Sequence, residues 1–148
     1  MAISANNTML NMSISIKELN DKHQLNSNNN GITPIDKCMC VVNGSLGIGN
    51  ILGISIIEQD YLYAITWEDK YIKISARTNL MKEDGTFGNI QDGTLHRADR
   101  LMLIDNFGKK SIAHIVDIDK LNERSFIYRI KTHRGNYILN TGVVVQSD

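Results

Sequence analysis

The chain has 148 residues, with 16 basic and 16 acidic side chains and a formal net charge of zero. This length suits one domain with its own core, and the charge balance excludes a global attraction to nucleic acid or an anionic membrane. No apolar run approaches the roughly 18 residues of a membrane span, and MAISANNTML lacks the features of a signal peptide. The sequence therefore predicts a cytoplasmic protein, or one in a particle assembled in the host cytoplasm, with no membrane partner.

The beginning of the chain predicts an arm ahead of the domain. Met12, Ile14 and Ile16 alternate with serines, which favours a short strand, and the polar run HQLNSNNNG is typical of a flexible linker. Such a strand can pair with a sheet edge of a neighbouring subunit in an assembly, and a frayed terminus is the alternative. We therefore expect an arm and linker over residues 1–33 and a β domain over residues 34–148.

The rest of the chain predicts an all-β fold. Segments rich in Ile, Val and Tyr alternate with Gly, Asn and Asp, and helical periodicity is confined to residues 15–21 and a turn near residues 95–100. The predicted strands are residues 38–43, 50–57, 61–67, 70–75, 101–104, 111–118, 125–132 and 135–145. The predicted turns are Asn43-Gly44, Glu68-Asp69, Asp84-Gly85, Asn106-Phe107-Gly108 and Arg134-Gly135. Short strands joined by such turns indicate a compact β domain.

The motifs that suggest bound ligands are better explained by structure. The glycine-rich GSLGIGNILG runs into a β-branched strand rather than a helix, so it favours a hairpin over a phosphate-binding loop. The four histidines share no ligand spacing with each other or with Cys38 and Cys40, which are too close for an ordinary disulfide. We therefore predict no metal and no cofactor, and two reduced thiols in or beside a strand.

A small basic cluster leaves one binding function open. Lys131, His133 and Arg134 lie beside Tyr137, a combination that can contact a phosphate backbone. A solvated hairpin tip is the simpler interpretation, so nucleic acid is not the favoured partner.

The order of phrases from about residue 35 onward resembles the Hint fold of inteins and Hedgehog autoprocessing domains. CVVNGSLGIGNILGI is similar to the opening hairpin of that fold, and YLYAITWEDKYIKISARTNLMKEDGTF to its central stretch. LHRADRLMLIDNFG resembles the next hairpin segment, with Ala98-Asp99 in the Gly-Asp place, and SFIYRIKTHRGNYILNTGVVVQSD resembles the closing pair of strands. The resemblance implies a compact Hint-like arrangement of short strands and hairpins.

The resemblance also implies four reactive groups: a thiol or hydroxyl at the first residue, a middle histidine, a penultimate histidine and a terminal asparagine. On this alignment Ser75 replaces the threonine that precedes the middle histidine, and Thr78 replaces that histidine. Gln146 and Ser147 replace the last two groups, and the nucleophile falls near the apolar Ile35. Neither Thr78 nor Gln146 titrates near neutral pH, so the alignment implies a catalytically degenerate domain.

These substitutions lead us to expect a non-enzymatic structural or docking domain that binds other protein subunits. The abundance of Asn, Ile and Lys indicates an AT-rich genome, which suits a bacteriophage virion component in the tail or baseplate region. One alternative is a residual autoprocessing, peptide-cleaving domain that uses Cys38 or Cys40. The other alternative is a small nucleic-acid-binding β module.

Overall fold

A computed structural model describes residues 2–4 and 36–147 of the chain. These residues form strands and no helix, so the all-β prediction is confirmed. The strands are β1 (Ala2–Ser4), β2 (Asp36–Val42), β3 (Ser45–Gln59), β4 (Leu62–Trp67), β5 (Lys70–Ile74), β6 (Leu80–Met81), β7 (Phe87–Gly88), β8 (Arg100–Ile104), β9 (Lys110–His114), β10 (Asp117–Leu121), β11 (Ser125–Thr132), β12 (Asn136–Ile138) and β13 (Val144–Gln146). A helix long and apolar enough to cross a membrane is therefore absent from the described residues.

The strands form antiparallel sheets that differ in size. The largest sheet has the order β10-β4-β5-β1-β11-β3-β2, the second has the order β12-β13-β6-β7, and β8 and β9 form a separate hairpin. The long strand β3 joins two neighbours, because its first half pairs with β2 and its second half with β11. A β-bulge between Lys131 and Thr132 shifts the register of β11 near its end.

The main core is built from alternating apolar residues of these strands. Fully buried members include Trp67, Ile72, Leu80, Leu101 and Tyr137. A smaller cluster of Leu62 and Ile127, with Ile57 packed against it, is separate from this core. Because side chains alternate along a strand, Ile127 faces the opposite side of β11 from the core residues Tyr128 and Ile130.

The predicted turns are present, and glycines, Asn43 or Glu68 adopt the left-handed conformation in them. Asn43 and Gly44 have φ values of 52° and 79°, as expected for an Asn-Gly hairpin turn. The predicted strand at residues 135–145 is instead the hairpin of β12 and β13. Gly142 explains the break, because its φ is 93° and an added Cβ would lie 3.2 Å from main-chain atoms of Ile104.

The start of the chain contributes a strand to the middle of the large sheet. Ala2–Ser4 pairs with β11 on one side and with β5 on the other. The expectation of an arm therefore does not apply to these three residues. The predicted assembly strand at Met12, Ile14 and Ile16 lies outside the described residues, and the boundary near residue 33 stays a prediction.

Candidate active site

A buried pair of hydroxyl groups follows the end of β5. Ser75 Oγ lies 3.0 Å from Thr78 Oγ1, and the Thr78 main-chain N–H donates to the Ser75 carbonyl at 3.1 Å. The chain turns here because β5 ends at Ile74, and the turn brings the two side chains together. Both residues are buried, so two of the residues singled out by the family resemblance do form one local pair.

Strand β1 brings Ala2 next to this hydroxyl pair. Ile3 pairs with Ile74, so the antiparallel register continues to Ala2 beside Ser75, while Arg129 faces Ala2 from β11. Alanine has neither thiol nor hydroxyl and cannot form an acyl bond. The nucleophile expected near Ile35 lies outside the described residues.

Gln146 lies beside the residue that follows the hydroxyl pair. Its main-chain N–H donates to the Asn79 carbonyl at 3.0 Å, and Asn79 Nδ2 donates to Gln146 Oε1 at 3.0 Å. These two bonds attach β13 directly to the turn that contains Ser75 and Thr78. The structure therefore brings three of the four aligned residues into one region.

Ser147 belongs to a second buried hydroxyl pair. Its main-chain N–H donates to the Gly135 carbonyl at 2.9 Å. Thr132 Oγ1 lies 3.0 Å from the Asn136 carbonyl oxygen and 3.3 Å from Ser147 Oγ. The Thr132 hydroxyl has one proton and donates it to the Asn136 carbonyl oxygen, which can only accept. The Ser147 hydroxyl therefore donates to Thr132 Oγ1. This relay gives the Ser147 side chain a fixed orientation.

A cavity of about 790 Å³ opens beside the first hydroxyl pair. Ser75 lines it together with residues of β3, β4 and β11 and of the segments that follow β3, β5 and β7. These include Tyr61, Tyr63, Arg77, Gln91 and Arg129.

The two cysteines are buried in β2 and do not contribute a nucleophile. Cys38 and Cys40 are free thiols with no exposed surface. Burial, and to a smaller extent the neighbouring Cys40, raises the pKa of Cys38 to about 12. Burial also raises the pKa of Cys40, partly offset by Arg134. A protonated, inaccessible thiol is a poor nucleophile, so the cysteine-based version of autoprocessing is not supported.

The structure gives little support to a metal site or to the alternative of a nucleic-acid site. The described residues include no group of three or more His, Cys, Asp or Glu side chains able to hold a metal ion. Lys131, His133 and Arg134 are exposed, but Tyr137 has no exposed surface and cannot stack on a base. His133 Nδ1 accepts from the Asn50 main-chain N–H at 2.7 Å, a contact that supports the β11–β12 turn.

Sequence reasoning missed the residues that hold the site together, above all Asn79 and Thr132. Asparagine and threonine are common in turns and strands, and no motif distinguishes these two. Their roles depend on partners far along the chain, since Asn79 and Gln146 are separated by 67 positions in sequence.

Comparison with solved structures identifies the fold. No protein-family model matches this sequence, and no curated protein matches it significantly. A DnaB intein from Synechocystis sp. PCC 6803 matches with a TM-score of 0.78 and 17% identity, covering 99% of each chain. The chain has the Hint fold of inteins.

Two further structures support this assignment of the Hint fold. The transcription factor IIB Mvu mini-intein matches with a TM-score of 0.76 and 14% identity over 99% of both chains. A bacterial intein-like domain from Clostridium thermocellum matches with a TM-score of 0.70 and 16% identity, over 99% of this chain and 98% of that one. At such identities the likeness shows the fold alone.

The comparison corrects the functional expectation drawn from the sequence. The expectation of a non-enzymatic structural domain, and with it the prediction that the chain is not an enzyme, is wrong, because the matching structures are inteins, which are autoprocessing domains. The substituted side chains misled the sequence reasoning, because a missing histidine does not show what the remaining groups of the fold do. The alignment of Ser75, Thr78, Gln146 and Ser147 with catalytic positions, the partner subunits and the particle location stay predictions.

Proposed function

We propose that the chain is an autoprocessing domain of the intein type that cleaves a peptide bond of its own main chain. The observation that carries this proposal is the likeness to an intein over 99% of both chains. The order of Hint-like phrases in the sequence supports the same function. Cleavage by this route needs a buried hydroxyl that is held in a fixed orientation beside the peptide bond that precedes it.

Ser147 meets this condition. Its hydroxyl is buried and oriented by Thr132, and its main-chain N–H is held by Gly135. The preceding residue, Gln146, is held by Asn79. Ser75 and Thr78, by contrast, have hydroxyls that bond to each other, and the residue beside them, Ala2, has no nucleophile.

The reaction is an N-to-O acyl shift at the bond between Gln146 and Ser147. Ser147 Oγ attacks the Gln146 carbonyl carbon, a C–O bond forms, the C–N bond breaks, and the hydroxyl proton ends on the released Ser147 amine. Water then hydrolyses the ester, leaving a carboxylate on Gln146 and restoring the Ser147 hydroxyl. Histidines are absent at the aligned positions, and because general acid–base catalysis contributes about 10²–10⁴-fold, we expect a reaction of hours to days.

A fusion experiment tests this function. A folded reporter domain is joined after Asp148, and the purified precursor is incubated at neutral pH with intact-mass detection. The expected result is a split between Gln146 and Ser147 with the addition of one water. Hydroxylamine should trap the ester as a hydroxamate on Gln146.

Two serine variants provide the matched comparison. Ser147→Ala should leave the precursor intact, because no oxygen remains to attack the carbonyl. Ser111→Ala removes an exposed serine of β9 and should cleave at the wild-type rate. A precursor of unchanged mass after a week, or cleavage in Ser147→Ala, rules out this function.

A further inference from the structure

Four side chains form a hydrogen-bonded series that ends at the residue before the proposed cleavage site. Asn89 Nδ2 donates to Asp92 Oδ2 at 3.0 Å and to Asn79 Oδ1 at 2.8 Å. Asn89 Oδ1 accepts from the Asp92 main-chain N–H at 2.7 Å. Asn79 Nδ2 then donates to Gln146 Oε1 at 3.0 Å. The series runs from Asp92 to Gln146 through two asparagines.

The direction of every bond in this series is determined. A main-chain N–H only donates, so the Asn89 oxygen must face Asp92 and its NH₂ group must face Asn79. Asn79 therefore turns its oxygen toward Asn89 and its NH₂ group toward Gln146. The asparagine at position 79 cannot flip without losing both side-chain partners.

Asn79 binds Gln146 at two points that have different selectivity. The bond from the Gln146 main-chain N–H to the Asn79 carbonyl forms with any residue except proline at position 146. The bond from Asn79 Nδ2 requires an acceptor on the side chain, which glutamine and glutamate have and leucine lacks. The second bond therefore discriminates between residues with and without a side-chain acceptor at the position before Ser147.

We propose that Asn79 is a positioning residue that selects a side-chain acceptor at position 146 and fixes the Gln146 carbonyl for attack by Ser147. This inference rests on the proposed function. Two-point attachment restricts rotation of the residue whose carbonyl reacts, and loss of such orientation costs about 10²-fold in rate for a 1 Å misplacement.

The test uses the reporter precursor with Asn79→Asp in a Gln146→Glu background, because glutamine can turn its own NH₂ group toward a carboxylate at position 79 whereas ionised glutamate has no donor. An ionised carboxyl group at position 79 cannot donate to the glutamate, so cleavage at pH 7 should fall about 10- to 100-fold relative to Gln146→Glu alone. When the pH falls toward about 4, a carboxyl group of this pair takes up a proton and can donate again. The ratio of the double-variant rate to the Gln146→Glu rate should therefore rise at low pH, whereas a merely structural defect gives a ratio independent of pH. Asn140→Asp in the same background, at an exposed asparagine of the β12–β13 turn, is the matched control and should keep a ratio near one.

A second pair of variants approaches the same bond from its other end and guards against a misfolded Asn79→Asp protein. Gln146→Leu should lose about 10- to 100-fold in rate, and Gln146→Glu, which keeps an acceptor, should cleave nearly as fast as wild type. Adding Asn79→Asp to Gln146→Leu should cause no further loss, because leucine has already lost the side-chain bond. Wild-type cleavage with no loss of rate in Gln146→Leu, and none when Asn79→Asp is added to Gln146→Glu, overturns this inference and leaves the proposed function intact. An inert wild-type precursor overturns both.

Discussion

The two buried hydroxyl pairs of the candidate site are similar in chemistry and different in origin. Ser75 and Thr78 are three residues apart and lie in one turn, where a main-chain bond already holds them together. Thr132 and Ser147 are 15 residues apart and meet only after β12 has paired with β13. The first pair is therefore a product of local structure, whereas the second depends on the fold around it. In the proposed reaction the nucleophile belongs to the second pair.

Removal of the Thr132 hydroxyl should cause the largest loss in the free energy of unfolding. Thr132→Val leaves the Asn136 carbonyl and the Ser147 hydroxyl without their partner in a buried setting, and we expect a loss of about 3 kcal/mol in the free energy of unfolding. Urea denaturation at neutral pH measures this change. Cleavage of the reporter precursor should slow as well, because Ser147 loses its fixed orientation. If Thr132→Val lowers the free energy of unfolding by less than Thr78→Val does, the proposed contrast between the local and the long-range hydroxyl pair is contradicted.

Asn136→Ala should cause a smaller loss in the free energy of unfolding. This variant tests how much the attachment of β12 to β2 stabilises the region of Thr132 and Ser147. The Asn136 side chain accepts from the Val41 N–H at 2.7 Å and donates to the Val41 carbonyl at 3.0 Å, so it ties β12 to β2. Because Val41 is only partly buried, water can replace these bonds in part, and we expect a loss of about 2 kcal/mol. Asn140→Ala, at an exposed position, should stay within about 0.5 kcal/mol of wild type.

The local pair of Ser75 and Thr78 should contribute less to the free energy of unfolding. Thr78→Val leaves the Ser75 hydroxyl at the lining of an open cavity, where water can reach it, so this variant should cost about 1 kcal/mol. Ser75→Ala supplies the second single variant of a double-mutant cycle. Measured by urea denaturation, this cycle should give a coupling energy below that of Thr132 and Ser147. Equal coupling in the two pairs would remove the distinction between local and long-range origin.

The smallest effect at neutral pH concerns Cys38, which is as deeply buried as these hydroxyls. Its folded pKa of about 12 lies above the ordinary value of 9.0, so above pH 9 the unfolded chain releases a proton that the folded chain keeps. The free energy of unfolding should therefore fall as the pH rises from 9 toward 12, by up to about 1.4 kcal/mol per pH unit from this group. Cys38→Ala should flatten that fall in urea titrations at several pH values. Identical slopes in both proteins would refute the assignment.

Much of the fold could be predicted because the local pattern and the final structure agree. The strand at residues 125–132 and the Asn43-Gly44 turn follow from β-branched residues and from turn chemistry. The first half of β3 was missed because its glycines resemble a turn. The pattern at residues 111–118 predicts one strand because Ile115 and Val116 continue the run of β-branched residues, although β9 ends at His114.

The candidate site was less predictable. Ser75, Thr78, Gln146 and Ser147 were singled out only through a family resemblance. Asn79 was not, because its importance comes from a partner that is distant in sequence. Ala2–Ser4 escaped notice because a strand of three residues has no readable periodicity, and its neighbours in the sheet begin at Lys70 and Ser125.

The central place of β1 also bears on the order in which the chain folds during synthesis. Hairpins such as β4–β5 can form as soon as they leave the ribosome, but Ala2 must wait for Arg129 to be made before the middle of the large sheet can close. Ser147 follows later still. In the proposed reaction, the nucleophile is therefore made after all the strands that the structure describes, so cleavage at Ser147 would follow the synthesis of the whole large sheet.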